Sequence, residues 1–293
     1  MWKIDYHIHT KYSDGASEPG EILKIAAANE MEAVAITDHD GIDGLDEALR
    51  EGRALGIRVL PGIEFATVAD DGTGLHILGY GFDHKNGELN DLLVYIREER
   101  DKRNERLVKA LMDRGIAISL EELMTGRTNF IGKPVIARAL AAKGYVENWE
   151  DAFRDENTLA NPEIKAIRKL KVDSEVAVKA IIGAGGVPVL AHPIQAKKRE
   201  EPDDDRFYEK MDGLIGRLRE AGLAGLECYH PDQDEKQTLK FIDIAQNHKL
   251  KISRGTDFHG EDYRCPKRTS DYIESGNASG YGVYPEDFIN VLL

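Results

Sequence analysis

The sequence predicts an α/β fold: a mostly parallel sheet or barrel with a helical segment inserted into it. Three observations carry that prediction. Short β-rich runs recur along the chain, WKIDYHIH (2–9), AVAITDH (33–39), RVLPGIEF (58–65), LHILGYGF (75–82), VPVLAHP (187–193), GLECYH (225–230) and KISRGTDFH (251–259). Most are separated by stretches whose apolar residues repeat with helical spacing, the strand–helix alternation of parallel architectures. The alternation then stops over residues 91–172, where nearly everything reads as helix. At 293 residues, 41% hydrophobic and 31% charged, the chain is long enough to bury a sizeable core.

Each helix announces its ends. SEPGEILKIAAANE has Ser17 as its expected N-cap, Pro19 in the first turn, and Ile22, Ile25 and Ala26 on one face. GLDEALREGRALG, VDSEVAVKAIIGAGG and MDGLIGRLREAG follow the same logic before later strands. Inside the interruption, LNDLLVYIREERDKRNERLVKALMDRG predicts one long charged helix, SLEEL carries a capping box from Ser119 to Glu122, and GKPVIARALAAKG has Pro134 in its first turn and Gly144 past its end. The expected division is a barrel from residues 1–90 and 173–293 and a cap from 91–172. NPEIKAIRKLKV leaves the cap with Lys165, Arg168, Lys169 and Lys171. The tail TSDYIESGNASGYGVYPEDF reads as loop before a last short helix, and REEPDDDR as a solvated acidic loop.

A net charge of −14 argues against a general binder of long nucleic acid or of membrane surfaces. Two cysteines, Cys228 and Cys265, make no disulfide framework, so a reduced, cytoplasmic setting is expected. No apolar run approaches membrane-spanning length.

Histidines and acids gather where these runs end. Residues i and i+2 of a strand share a side, so His7 and His9 project together while Ile8 points away. Thr37 and His39 repeat the device around Asp38, and Asp257 and His259 around Phe258. Glu64 and His192 also arrive late, whereas His76 comes early in its run. The C-terminal strand ends of an α/β barrel share one mouth, where residues far apart in sequence meet. Nitrogen and carboxylate donors without thiolate suit manganese, zinc or iron. His230 ends the sixth run at the same mouth and is a further candidate to touch substrate, and Asp38 to orient a ligand.

DYHIHTKYSDGA, AITDHD, GIEF, LHILGYG, LAHP and GTDFH, in that order, resemble the PHP (polymerase and histidinol phosphatase) family of metal-dependent phosphoesterases, and specifically its stand-alone nucleotide branch with a helical insertion. The resemblance implies a distorted seven-stranded (β/α)7 barrel with an inserted α-helical cap. It implies two to three divalent metals: His7, His9, Glu64 and Asp257 on one, Glu64, His76 and His192 on a second, and Asp14, His39 and His259 on a third. A bridging water that ionises near neutral pH would then attack phosphorus. Three carboxylates and three divalent ions make such a pocket roughly +3 within an acidic chain. Relatives often read GRPHIA where this chain reads GKPVIA, so Lys133 replaces an arginine implied to contact phosphate, a point charge in place of a fork. Arg168 and Lys169 are further expected substrate contacts.

The reading that follows is hydrolysis of a small phosphomonoester, a nucleoside monophosphate or 3′,5′-bisphosphate. Histidinol-phosphate phosphatase and short-oligonucleotide 5′→3′ exonuclease are the enzymatic alternatives. Amidohydrolysis would want a strand-end lysine ligand, and none of these runs ends in one. A non-catalytic metal- or nucleotide-binding module is the remaining class.

Overall fold

The computed structural model describes residues 4–125, 130–169, 171–197, 202 and 204–260; the C-terminal tail, Cys265 and half of the REEPDDDR loop lie outside them. The elements run β1 (Ile4–Ile8), α1 (Pro19–Ala28), β2 (Ala33–Ile36), α2 (Leu45–Leu55), β3 (Arg58–Val68), β4 (Gly74–Tyr80), α3 (Gly87–Met112), α4 (Leu120–Met124) and α5 (Lys133–Ala142). After a 3₁₀ turn at Trp149–Phe153 come α6 (Pro162–Ala166), β5 (Val172–Asp173), α7 (Ser174–Gly183), β6 (Val187–Leu190), a 3₁₀ turn at Pro193–Ala196, α8 (Asp205–Glu220), β7 (Gly225–Tyr229), α9 (Glu235–Asn247) and β8 (Lys251–Arg254).

The strands pair in the order β1-β2-β3-β4-β6-β7-β8, with two-residue β5 beside β3. The ring is closed by a parallel bridge between Ile8 and Phe258, where the His9 amide donates to the Phe258 carbonyl at 2.8 Å. This is the expected seven-stranded barrel. Its distortion has a specific source: β4 runs antiparallel to both β3 and β6, while the remaining neighbours on that path are parallel. The inversion also explains His76. The early end of an inverted strand lies at the same mouth as its neighbours' late ends, and Ala66 of β3 faces His76 directly.

The helices cover the outside because their apolar stripes demand it. In α8, Phe207, Met211, Leu214, Ile215 and Leu218 recur at helical spacing and are all buried, each worth roughly 1.5–3 kcal/mol of removed apolar surface. Gly56, at φ 72°, ends α2 in the left-handed conformation glycine takes at least cost. The N-cap of α1 is Glu18 rather than the expected Ser17; the Glu18 amide donates to Glu21 Oε2 at 3.0 Å, which a one-residue shift of the start permits. Ser119 caps α4 as expected, accepting from the Glu122 amide at 3.1 Å.

Three buried clusters result. Ile4, Tyr6, Ala33, Ala35, Leu60, Leu78, Tyr80, Val189 and Ala191 fill the barrel. A larger core lies between strands and outer helices, and includes Leu89, Leu93 and Ile96 of α3. A separate cluster, from Leu107 to Ile164, belongs to the helical segment alone and takes Leu107, Val108 and Leu111 from the same helix. Helix α3 therefore roots in the barrel and ends in the segment it carries. No helix among the described residues is long and apolar enough to cross a membrane.

Candidate metal centre

Two bulges aim the barrel's polar residues. In β1, Ile4 and Tyr6 point inward, yet Ile8 belongs to the outer core. The pairing explains the switch: Asp5 faces Val34 while Ile8 faces Ile36, so β1 has one residue more than β2 over that stretch. The extra residue flips the inward parity and turns His7 and His9 into the barrel mouth. Strand β7 does the same between Glu227 and Tyr229. Three positions apart, Glu227 and His230 are consequently both at the centre.

All nine expected ligands converge. His7, His9, Glu64 and Asp257 present donor atoms within 4.8 Å of one another, as do His9, Asp14, His39 and His259, and also His39, Glu64 and His76. His192 joins through Nε2, 2.9 Å from Glu64 Oε1. Glu64 is the hub: Oε1 lies 2.8 Å from His76 Nδ1 and 3.3 Å from His7 Nε2, while Oε2 lies 2.8 Å from His39 Nδ1 and 3.3 Å from His9 Nε2. The expected late strand doublet is corrected in one respect. β8 stops at Arg254, and Asp257 and His259 sit in the following turn, with Asp257 at φ 56°. Asp5 ties that turn down, accepting from the Thr256 amide at 3.0 Å and from its hydroxyl at 2.6 Å. Asp40, His192 and Asp257 all adopt positive φ, strain of the kind that gathers at functional sites.

The donors fit divalent cations. His7 Nε2, His9 Nε2, Asp14 Oδ1, His39 Nδ1 and Glu64 Oε2 are buried without a hydrogen-bond partner. His39 Nδ1 and Glu64 Oε2 are close but not directed at each other. Lone pairs that crowd together and miss one another are what a cation between them would satisfy. The outer nitrogens are held by hydrogen bonds of their own. His259 Nδ1 donates to the Asp257 carbonyl at 2.7 Å, leaving Nε2 facing Asp14 at 3.2 Å. His9 Nδ1 meets Ser13 Oγ at 3.4 Å, and Ser13 in turn donates to Asp38. Asp38 also takes the Thr10 amide and hydroxyl at 2.8 and 2.7 Å, so it orients the loop behind His9.

Without metal the cluster is held by charge. Burial pushes the Glu64 carboxyl up, but His39, His76 and His7 outweigh it and hold it well below the usual range. Asp14 and Asp257 are lowered in the same way by their imidazole neighbours. Burial works against the imidazolium of His39, yet Glu64 and Asp14 raise it to about 9, whereas burial prevails at His76 and lowers it to about 4.

Sequence reasoning missed Glu227. Its carboxylate lies 3.1 Å from His7 Nδ1 and accepts the His192 amide at 2.7 Å, so one buried group positions two of the expected ligands. The available signal was an acid in the middle of the apolar strand GLECY, which burial forbids unless it is paired. Gly255 makes the contact possible: a Cβ there would fall 2.1 Å from His7 Cβ and 2.6 Å from Glu227 Oε1. Glu227→Gln is expected to weaken metal affinity about 10–100-fold with the fold retained. Competition against a chelator measures it, and unchanged affinity would show that Glu227 merely fills space.

The cap cations divide. Lys169 is committed to the Asp40 carboxylate, which also takes the Ala66 amide at 3.0 Å. Lys133 is half-buried and Arg168 exposed, with no ion pair recorded for either among the described residues. His230 is buried; its Nδ1 accepts the Asp232 amide at 3.2 Å, which puts a neutral ring's proton on Nε2, 3.7 Å from Asp257.

Comparison with known proteins shows the family. The family model described as PHP domain matches residues 5–157. A 3′,5′-nucleoside bisphosphate phosphatase of Chromobacterium violaceum is 33% identical over 275 residues, 92% of this chain and 93% of that one. A 5′-3′ exoribonuclease of Haemophilus influenzae is 28% identical over 257 residues, 88% of this chain and 90% of that one. A solved Chromobacterium violaceum structure described as an amidohydrolase, with bound sulfate and no metal, superimposes with a TM-score of 0.78 at 32% identity over 88% of each chain. Matched by that model over more than half its length, and 33% identical to the bisphosphate phosphatase along nearly all of it, this chain belongs to the PHP domain family.

Proposed function

We propose that this protein is a metal-dependent phosphoesterase that hydrolyses a small phosphomonoester, a nucleoside monophosphate or 3′,5′-bisphosphate. The observation that carries the reading is Glu64, a fully buried carboxylate within 3.3 Å of five imidazole nitrogens at one barrel mouth. His7, His9, Asp14, His39, Glu64, His76, His192, Asp257 and His259 are the metal ligands in this reading. Manganese, zinc or iron bound there supplies an ionised water and Lewis-acid polarisation of the phosphoryl oxygens.

The chain's own residues do the rest. Burial of the ligand set excludes bulk water, while Asp257 and His76 keep 22% and 26% of their side chains exposed, so substrate approaches on that side. His230 is placed to donate its Nε2 proton to a phosphate or leaving-group oxygen. Residues 91–172 act as a cap: Arg138 of α5 reaches across to donate to the Asp14 carbonyl at 2.9 Å, and Lys133 and Arg168 stand as its substrate contacts. The bisphosphate phosphatase among the relatives supports a ligand with two phosphates. The exoribonuclease relative favours a second reading, 5′→3′ removal of nucleotides from short oligonucleotides.

Metal analysis, phosphate release from AMP, 3′,5′-ADP and histidinol phosphate, and release of nucleotides from a short 5′-phosphorylated oligonucleotide test this. Turnover is expected on the nucleotides, reduced roughly 10²-fold or more by His230→Gln if its proton is used in catalysis. No turnover of any phosphoester by manganese-, zinc- or iron-loaded protein would sink the proposal in favour of a binding module.

A further inference from the structure

The apolar cluster from Leu107 to Ile164 packs within the helical segment and shares no residue with the barrel's two clusters. Two cations of that segment cross to barrel loops that carry expected metal ligands. Arg138 of α5 donates from Nη1 to the Asp14 carbonyl at 2.9 Å. No other hydrogen bond to that carbonyl is recorded among the described residues, so Arg138 answers its need for a donor. The loop is pinned on its other side by β1. A Cβ on Gly15 would fall 2.6 Å from the His9 carbonyl oxygen, and the Gly15 amide donates to the Thr10 carbonyl at 2.9 Å. Arg138 is half-buried, its Cζ 5.9 Å from the centroid of the Trp149 ring.

The second crossing is Lys169, which pairs with Asp40. Asp40 is 2% exposed and sits at φ 48°, a conformation uncommon outside glycine. Its Oδ1 accepts the Ala66 amide at 3.0 Å and its own amide donates to the Glu64 carbonyl at 2.9 Å, which fixes the turn directly after His39. The two ties converge on one ligand set. Asp14 Oδ1 lies 3.2 Å from His259 Nε2, and Asp14 Oδ2 lies 3.9 Å from His39 Nε2. Ligands elsewhere in the centre are held from within the barrel: Glu227 holds His7 and His192, and Asp5 the turn of Asp257.

We propose that Arg138 and Lys169 are positioning residues through which the seated cap completes the Asp14–His39–His259 cation position, so that cap seating and occupancy of that position are reciprocally coupled. This rests on the phosphoesterase reading and deepens it. Neither cation touches the metal; each holds the backbone from which a ligand projects. Whatever factor the cap contacts add to the ion's affinity, the ion adds to the seating of the cap.

Arg138→Met tests it, because it keeps the stem beside Trp149 and strands no buried charge. Equilibrium dialysis of metal-free protein against manganese, read by mass spectrometry, is expected to show the weakest-held ion loosened about tenfold and the tighter ones changed by less than about threefold. Arg138→Lys, which keeps a single donor, should fall between. Lys169→Met combined with Asp40→Asn removes the buried pair without leaving either charge alone, and should loosen the same ion about tenfold. In an Asp14→Asn background, where that position is already crippled, Arg138→Met should have no further effect on the remaining ions. The reciprocal half is read at Trp149, the only tryptophan left after Trp2→Phe. Zinc should change its emission in the parent and leave it unchanged in Arg138→Met. A parent that binds no third ion overturns the proposal. So do equal loosening of every ion in Arg138→Met, metal binding like the parent's, a loss that persists in the Asp14→Asn background, or a Trp149 response to zinc that survives the substitution. None of these readouts needs a substrate. A parent that turns over no phosphoester therefore sinks the phosphoesterase reading and leaves the positioning to be decided by the metal titrations.

Discussion

Glu64→Gln is expected to give a folded protein that holds less than its full complement of metal and loses at least about 10³-fold in kcat/KM on its best substrate. Both oxygens of Glu64 are committed, Oε1 toward His7, His76 and His192 and Oε2 toward His9 and His39. An amide nitrogen in place of either oxygen turns an acceptor into a donor and removes the charge that offsets the cations. The backbone has no need of the carboxylate. Ile63 and Phe65 on either side point into the outer core, and the Glu64 amide and carbonyl bond to the Asp38 carbonyl and Asp40 amide. Metal content by mass spectrometry, far-UV circular dichroism and steady-state kinetics check the three parts. A Gln variant with full metal and activity within tenfold of the parent would show that the hub is not a ligand.

Most of this centre was legible because its residues obey a period. HxH and TDH place two polar side chains on one side of the chain, and strand ends at one mouth bring such pairs together; DFH reaches the same mouth from beyond the end of β8, with Asp257 at positive φ. His76 broke the pattern only because strand direction is a property of pairing and cannot be read from LHILGYG itself. Glu227 and His230 share the site because a bulge inserts one residue between their faces, and bulges leave no periodic trace. The burial of Arg100 and Arg103, 3% and 5% exposed, was hidden for the opposite reason. REERDKRNERL is charged on every face, so its sequence does not reveal which turn the barrel and Phe130 cover. The ion pair of Lys169, an expected substrate contact, with Asp40 could not be read from charge alone.

Stripping the metals is expected to invert how stability depends on pH. In the metal-free cluster His39 is raised to about 9, and His7 is raised well above its usual value because Glu227, Glu64 and Asp257 outweigh its burial. A group whose folded pKa is raised stabilises fully below its unfolded value, near 6.5, and loses that contribution as pH climbs through the folded value. For His39 alone the loss between pH 6.5 and 9 is on the order of 3 kcal/mol, and His7 adds to it. His76, lowered to about 4, is neutral in both states above 6.5 and does not oppose the trend. Glu64, Asp14 and Asp257, all depressed, are ionised throughout that window and lose their contribution only under acid. Metal ligation has the opposite preference, since each imidazole must give up its proton to bind. The Tm of chelator-treated protein should therefore fall from pH 6.5 to 9 while the gap to manganese-loaded protein widens. Adding metal at pH 7 in weak buffer should release at least about one proton per chain. A metal-free protein more stable at pH 9 than at 6.5, or metal uptake without proton release, would mean that these imidazoles do not meet the cations and that the cluster is held together by something else.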